Sequence, residues 1–100
     1  MPILICYDIS NNSLRTKMGK RIIEKGLLRI NKSVYLGTIK DTPLQLLERE
    51  LTQWLAAKGG PDDSLIFLPV AVHQIKEMRV YGKNDLDNDE IVGEKLTLII

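Results

Sequence analysis

The chain has 100 residues, of which 44% are hydrophobic and 27% are charged, and its net charge is +1. This composition is typical of one folded domain and excludes a disordered chain. No apolar run approaches the roughly 18 residues that a membrane span needs, and residues 1–8 lack the pattern of a signal peptide. The single cysteine excludes an internal disulfide and a cysteine-rich zinc site. We therefore expect one cytoplasmic domain with no membrane anchor.

The charged residues are unevenly distributed along the chain. Residues 1–40 hold eight basic and two acidic residues, whereas residues 41–100 hold six basic and eleven acidic residues. A basic front half favours a polyanionic partner such as a nucleic acid. The alternative is that folding mixes the two halves into a neutral surface, and the charge pattern alone does not decide between them.

The first predicted elements are a strand and a helix. Residues 3–7 are β-branched, aliphatic or aromatic and predict a buried strand that ends at Asp8. Turn and N-cap residues follow at 10–13, and the spacing then predicts a helix from about Ser13 to Lys25. Gly26 is a suitable C-cap because it adopts a positive φ without steric cost. The predicted buried stripe of this helix consists of Leu14, Met18, Ile22 and Ile23.

The next segment predicts more strand and a second helix. Residues 28–30 and 33–39 alternate in polarity and form one bent strand or two short ones. We expect Thr42 to cap the second helix, Pro43 to occupy its first position and Gln45 to complete a capping box. One face of this helix is apolar, with Leu44, Leu47, Leu51, Trp54 and Leu55.

A strongly apolar strand is predicted over residues 65–72, where Pro69 favours an edge position or a bulge. The element order is then β-α-β-β-α-β, which is the order of the ferredoxin-like α+β sandwich. Both helices cover one face of such a sheet, so we expect a second copy of the chain to cover the other. Met78, Val80 and residues 96–100 indicate further strand. The predicted organisation is a core over residues 1–82, including a fifth strand, and an acidic loop and C-terminal tail over 83–100.

Asp8 is the first candidate for chemistry. It stands where the first strand ends and lies close to a helix N-terminus, which favours a negative charge. The alternative is that Asp8 only organises the turn. Magnesium commonly binds to one or two carboxylates and keeps its remaining waters, so two copies of Asp8 at a two-fold axis would form a site. Such a site could support hydrolysis of a phosphodiester.

The first helix is the best candidate for contacts with phosphate. Arg29 on the next strand could join its basic surface, and Tyr35 could stack on a base if exposed. The alternative is a solvated helix face, and a half-buried tyrosine. The basic residues of the helix are Arg15, Lys17, Lys20, Arg21 and Lys25.

The remaining polar residues and the single cysteine give little indication of a functional site. Asp62 and Asp63 are expected to be solvated residues of a Gly-Gly-Pro turn. Because His73 is the only histidine, one chain has neither a histidine metal cluster nor a Ser/His/Asp triad. Cys6 is expected to be an inert thiol in the core.

Several pieces of the sequence occur in an order that is characteristic of one family. They are Ile5-Cys6-Tyr7-Asp8-Ile9-Ser10, Arg15-Thr16-Lys17, Gly26, Arg29-Ile30-Asn31-Lys32-Ser33-Val34-Tyr35-Leu36-Gly37 and Asp63-Ser64-Leu65-Ile66-Phe67-Leu68-Pro69. In this order they resemble the CRISPR-associated protein two family over about the first seventy residues.

The resemblance implies a ferredoxin-like homodimer whose C-terminal strand pairs with the sheet of the other subunit. It also implies a divalent metal, Mg²⁺, between the two copies of Asp8. Family members have been described as metal-dependent endonucleases on RNA or duplex DNA and as scaffolds for the CRISPR-associated integrase during spacer acquisition. The positions that match the family's site are Tyr7, Asp8, Arg15, Lys17, Arg29 and Tyr35.

The chain departs from the family's pattern at three positions. Asn31 replaces the usual Gln, Tyr35 replaces Phe, and Lys17 replaces a frequent Arg, which removes a planar fork that grips phosphate. Besides a nuclease, we therefore consider an adaptor that binds DNA without cutting it. In both, Arg15, Lys17 and Arg21 would contact phosphates, and only the nuclease would need Asp8. Further alternatives are a toxin-like ribonuclease of the same fold and a small-molecule regulatory domain.

Overall fold

The structure, a computed structural model, describes residues 2–82. Within this range the chain forms four strands and three helices, and the first 69 residues follow the predicted β-α-β-β-α-β order. The elements are β1 (Pro2–Asp8), α1 (Asn12–Glu24), β2 (Leu28–Asn31), β3 (Val34–Thr38), α2 (Asp41–Lys58), β4 (Ser64–Pro69) and α3 (Val72–Lys76). The chain is therefore an α+β protein.

The four strands form one antiparallel sheet in the order β2-β3-β1-β4. β1 lies in the interior of the sheet between β3 and β4, which explains why its sequence is apolar at nearly every position. β4 lies at an edge, as the proline at its last position, Pro69, predicts, because an edge strand tolerates a missing N–H. The order and the antiparallel pairing are those of the ferredoxin-like fold.

The two long helices pack on one face of the sheet and enclose the main core. Alternate residues of β1 point into it: Ile3, Ile5 and Tyr7 are buried. From the helices come the fully buried side chains of Met18, Ile22, Leu47 and Leu51. Leu44, Trp54 and Leu55 are partly buried against the same cluster, so the predicted apolar face of α2 is confirmed.

The opposite face of the sheet is covered only in part within residues 2–82. Ile75 of α3 packs on Leu36 of β3, and Met78 lies against the same small cluster. Ile66 and Leu68, on the same face of β4, remain about half exposed, at 51% each. An apolar area is therefore left on the outer part of this face.

The ends of α1 follow the sequence closely, but its predicted stripe was wrong at one position. The Asn11 side-chain oxygen accepts the N–H of Leu14 at 2.9 Å, and Gly26 has a φ of 93° just beyond the last turn. Ile23, which we predicted to be buried, is 52% exposed. The core accepts a narrow stripe from this helix, and Ile22 already fills the place in the last turn.

The predicted start of α2 was also wrong. The helix begins at Asp41 with Lys40 as its N-cap, and no side chain caps it. Pro43 therefore occupies the third helical position, where its missing N–H costs nothing because the first four N–H groups have no intrahelical partner. The first helical bond runs from the N–H of Leu44 to the Lys40 carbonyl at 3.0 Å.

The last described segment differs from the prediction. The strand expected over residues 65–72 is β4 and ends at Pro69, and Val72 begins α3. β4 ends where its partner β1 begins: Pro69 pairs with Ile3, and one further bond, from the N–H of Val70 to the Pro2 carbonyl at 3.0 Å, closes the ladder. Met78 and Val80, which we predicted as further strand, form no strand within residues 2–82, where the chain has four strands and not five. The acidic loop and residues 96–100 lie outside the described residues.

Candidate nucleic-acid interface

An open groove of about 830 Å³ runs along α1, between this helix and the turn that joins β2 to β3. The end of β1 forms part of its wall. Five of the predicted site residues line it: Tyr7, Asp8, Arg15, Arg29 and Tyr35. Its charged lining comprises Asp8, Arg15, Lys20, Glu24, Arg29 and Lys32, so basic residues outnumber acidic ones by four to two. The groove therefore has a net positive charge.

Asp8 is exposed at the end of β1, opposite Ser64 of β4. Its side chain follows the alternation of Leu4 and Cys6, which point to the sheet face away from the long helices. Asp8 thus lies where the groove reaches the incompletely covered face of the sheet. This is the position that the sequence predicts for a carboxylate shared with a second copy.

Arg15 is held in place by the loop that follows Asp8. One of its terminal nitrogens, Nη1, donates to the Ile9 carbonyl at 3.0 Å, and Nη2 donates to the Asn12 side-chain oxygen. These bonds fix the guanidinium at the groove, against the carbonyl of the residue that follows Asp8. A guanidinium with a fixed orientation loses less entropy on binding a phosphate than a free one.

Tyr7 and Tyr35 line the groove but are buried, with exposures of 8% and 4%. Their hydroxyls are 3.0 Å apart, and the Tyr7 hydroxyl donates to the Arg15 carbonyl at 3.1 Å. The Tyr35 hydroxyl therefore donates to Tyr7. Burial, followed by the bond with Tyr35, raises the pKa of Tyr7 well above its ordinary value. The exposure that base stacking by Tyr35 requires is not met here.

Gly19 of α1 lies directly against these two hydroxyls. A Cβ at this position would lie 2.5 Å from the Tyr35 hydroxyl oxygen and 2.9 Å from that of Tyr7. The absence of a side chain thus allows both polar groups to reach the helix. The pair packs beneath the groove and supports the first turn of α1, which carries Arg15.

Lys17 and Arg21 point away from the groove, toward α2. The Lys17 ammonium lies 4.1 Å from the centre of the Trp54 ring, and the Arg21 Nε lies 2.5 Å from the Glu50 carboxylate. Arg21 also pairs with Glu24 at 3.4 Å, and these partners raise its pKa, that of Glu50 most of all. These two of the predicted phosphate-binding residues therefore link α1 to α2.

Lys20 and Lys32 also line the groove. From the sequence we named Lys20 only as part of the basic surface of α1, and we did not consider Lys32 for the site. A signal for Lys20 was present in the spacing of α1. Residues four apart share a side of a helix, so Thr16 and Lys20 face one way while Lys17 and Arg21 face another. For Lys32 no such signal existed, because its position depends on the turn between β2 and β3.

Asp63, which we expected to be a solvated turn residue, instead joins two loops. Its carboxylate accepts the N–H of Ser10 at 3.0 Å, the Ser10 hydroxyl at 3.4 Å and the N–H of Gly60 at 2.7 Å. The Gly60 bond and the bonds from Ser10 hold the pKa of Asp63 below its usual value, because they stabilise the charged form. The loop after β1 is therefore tied to the loop before β4.

In the described part of the chain, no helix is both long and apolar enough to cross a membrane. A four-stranded antiparallel sheet with two helices on one face, and a basic groove beside the end of a central strand, defines a ferredoxin-like α+β protein with a surface suited to a polyanion. The family model described as CRISPR associated protein Cas2 matches residues 1–78. The chain belongs to this family, as its sequence motifs indicate.

Individual relatives agree with this assignment. The chain is 29% identical over 83 residues to a protein named CRISPR-associated endoribonuclease Cas2 from Korarchaeum cryptofilum, covering 83% of this chain and 86% of the relative. It is also 29% identical over 82 residues to the Francisella tularensis subsp. novicida protein named CRISPR-associated endoribonuclease Cas2 1, covering 82% and 80%. The crystal structure of Streptococcus pyogenes Cas2 aligns with a TM-score of 0.70 and 20% identity, over 82% of this chain and 100% of that chain, and supports the fold.

Proposed function

We propose that this chain is a metal-dependent endonuclease of the CRISPR system that binds nucleic acid in the groove along α1. The observation that carries the proposal is the position of Asp8: an exposed carboxylate in a groove that is otherwise mainly basic. Basic side chains attract the phosphates, and a carboxylate among them supplies a ligand for a hard cation. The two relatives are named endoribonucleases, which supports a nuclease that acts on RNA.

One chain supplies few ligands for the magnesium ion that the resemblance implies. Within residues 2–82, no three His, Cys, Asp or Glu side chains are grouped so that they could hold a metal. Of the two carboxylates that line the groove, Glu24 pairs with Arg21 at 3.4 Å, so Asp8 is the candidate ligand of one chain. It fits Mg²⁺ only if the ion keeps several waters or a second carboxylate is added. Asp8 lies at the sheet face that a second copy would cover, so two copies of Asp8 are the donor set that we propose.

The partner that completes this site is a second copy of the same chain. The half-exposed Ile66 and Leu68 lie on the same sheet face as Cys6 and Asp8. Removal of such apolar surface from water contributes roughly 25 cal/mol per Å², and the entropy lost on association offsets part of this gain. A homodimer formed through this face would place the two Asp8 carboxylates near its two-fold axis. The integrase of spacer acquisition and a divalent metal are the further partners that we propose.

The chain's own residues would have distinct roles in cleavage. Arg15 and Arg29 would bind the phosphates on either side of the scissile bond, and Lys20 and Lys32 would extend the contacts along the groove. Asp8 would hold the cation, which supplies charge neutralisation and an activated water when bound. Tyr7 and Tyr35 would act from below by supporting the first turn of α1, because both are buried.

The first test is cleavage of labelled single-stranded RNA and duplex DNA, with and without Mg²⁺. We expect Asp8→Asn to abolish magnesium-dependent cutting while leaving binding intact, because the substitution keeps the shape of the side chain and removes its charge. Asp62→Asn makes the same change in charge at an exposed position outside the groove and should cut normally. Equal cutting by wild type and Asp8→Asn would contradict the nuclease proposal.

The second candidate is an adaptor that binds nucleic acid and does not cut it. It is favoured because residues 2–82 hold no group of three metal-ligating side chains, whereas four basic residues line the groove. For an adaptor we expect tight, salt-sensitive binding and no cutting by wild type or Asp8→Asn. Absence of binding to either nucleic acid would contradict both candidates.

A further inference from the structure

The peptide group between Ile9 and Ser10 forms hydrogen bonds with oppositely charged side chains on its two sides. Its carbonyl oxygen accepts from the Arg15 Nη1 at 3.0 Å, and its N–H donates to the Asp63 Oδ1 at 3.0 Å. Such a peptide is polarised, so each bond strengthens the other. One rigid plane thus joins a groove residue to a carboxylate in the turn between α2 and β4.

Asp63 is itself fixed within its turn. Its second oxygen accepts the N–H of Gly60 at 2.7 Å, and its own N–H donates to the Gly60 carbonyl at 3.2 Å. A Cβ on Gly60 would lie 3.3 Å from the Ser10 hydroxyl oxygen, which shows how closely the two loops approach. The carboxylate is therefore anchored on the α2–β4 turn and reaches across to the β1–α1 loop.

We propose that Asp63 is a positioning residue, which sets the Arg15 guanidinium and the backbone after Asp8 through the Ile9–Ser10 peptide. The inference rests on the proposed function for its consequence, because Arg15 and Asp8 are the groups it positions in the groove. Asp63 does not line the groove and has no contact with the bound nucleic acid in this scheme. Its effect reaches the substrate only through Arg15 and Asp8.

The experiment compares Asp63→Asn with Asp62→Asn, in the full-length protein at pH 7. Asn has one acceptor oxygen and a donor NH₂, so it cannot accept from both Ser10 and Gly60 through two oxygens. Asp62→Asn removes the same charge from the adjacent, exposed position, and so controls for the change in net charge. Circular dichroism first establishes that all variants are folded.

The decisive functional readout is a double-mutant cycle on nucleic-acid binding, with Arg15→Ala as the second change. We expect Asp63→Asn to weaken binding or cutting by roughly 10–100-fold. This is the range for residues that orient the side chains directly bound to a metal, and we apply it to Arg15. We expect Arg15→Ala to cost much less in the Asp63→Asn background than in wild type, because its guanidinium is already misplaced. Asp62→Asn should show no such coupling. Additive effects of Asp63→Asn and Arg15→Ala would overturn the proposal.

A structural readout separates this inference from the proposed function. In NMR spectra of the free protein, we expect Asp63→Asn to shift the Ser10 amide and to remove protection of the Arg15 guanidinium protons from exchange. Asp62→Asn should leave both signals in place. If wild type binds no nucleic acid, the proposed function fails, and the Arg15 signals alone decide the positioning. Unchanged Arg15 and Ser10 signals in Asp63→Asn would overturn it.

Discussion

At the residue scale, the two buried tyrosines show how a polar group is accommodated in a small core. A buried hydroxyl without a partner costs about 1–3 kcal/mol. Here the Tyr35 hydroxyl donates to Tyr7, and Tyr7 donates to the Arg15 carbonyl, so each buried donor has an acceptor. The arrangement requires space against α1, and Gly19 provides it.

Gly19→Ala tests this close approach. In most helices alanine is more favourable than glycine by about 1 kcal/mol. At this position we expect a net loss of up to about 2 kcal/mol in the free energy of unfolding, because overpacking of a core costs about 1–3 kcal/mol and the helix preference of alanine offsets about 1 kcal/mol of it. Urea denaturation measures it. Tyr35→Phe removes the hydroxyl that lies 2.5 Å from the new Cβ, so the double variant should lose less than the sum of the single ones. Strictly additive losses would contradict the explanation.

At the element scale, α1 presents two basic surfaces that have different partners. Lys17 and Arg21 pair with Trp54 and Glu50 of α2, while Lys20 lies in the groove. Both surfaces are basic in sequence, yet one set of charges is already neutralised or stacked within the protein. In the proposed function, the helix would therefore bind nucleic acid mainly through the side that faces the β2–β3 turn.

Matched alanine variants of Lys20 and Lys17 distinguish the two surfaces. Removing a lysine that contacts a phosphate reduces the slope of log affinity against log salt by about 1, and we expect this for Lys20→Ala. We expect Lys17→Ala to leave the slope unchanged and to lower stability by about 0.5–1 kcal/mol, the value of an exposed cation–π contact. Fluorescence anisotropy across a salt series and urea denaturation measure the two effects. A reduced slope in Lys17→Ala alone would contradict the assignment.

At the scale of the whole molecule, residues 2–82 cover one face of the sheet fully and the other face only in part. The long helices seal one face around Ile5, Met18 and Leu51, whereas α3 covers only part of the other, at Leu36. A domain of about 100 residues buries a limited fraction of its surface, so an additional apolar interface would stabilise it. This is the physical basis of the proposed homodimer.

Leu68→Lys tests the proposed dimer interface. A lysine on this half-exposed site would be buried without a partner in the dimer, at a cost that a monomer avoids. We expect the protein to shift from dimer to monomer in sedimentation equilibrium and to lose cutting that requires two copies of Asp8. Leu46→Lys is the control, because Leu46 is similarly exposed, at 55% against 51%, but lies on α2. The same shift in both variants would contradict an interface on the sheet.

The sequence by itself determined the element order, the ferredoxin-like fold and the family. These depend on local patterns: an apolar run in β1, Asn11 and Gly26 at the ends of α1, and the apolar face of α2. The sequence-based prediction was wrong where a residue's helical position or burial depends on the residues that pack around it. Pro43 suits the third helical position as well as the first, and Ile23 competes with Ile22 for one place in the core.

The tertiary structure decided which of the basic residues face the groove and which pair with α2. A sequence gives the charge of Lys17, Arg21 and Lys32, but their partners come from α2 and from the β2–β3 turn. Asp63 is the clearest case, because its bonds to Ser10 join residues 53 positions apart. Local patterns encode helices and strands through backbone geometry, whereas a contact between distant residues exists only once the whole chain has packed.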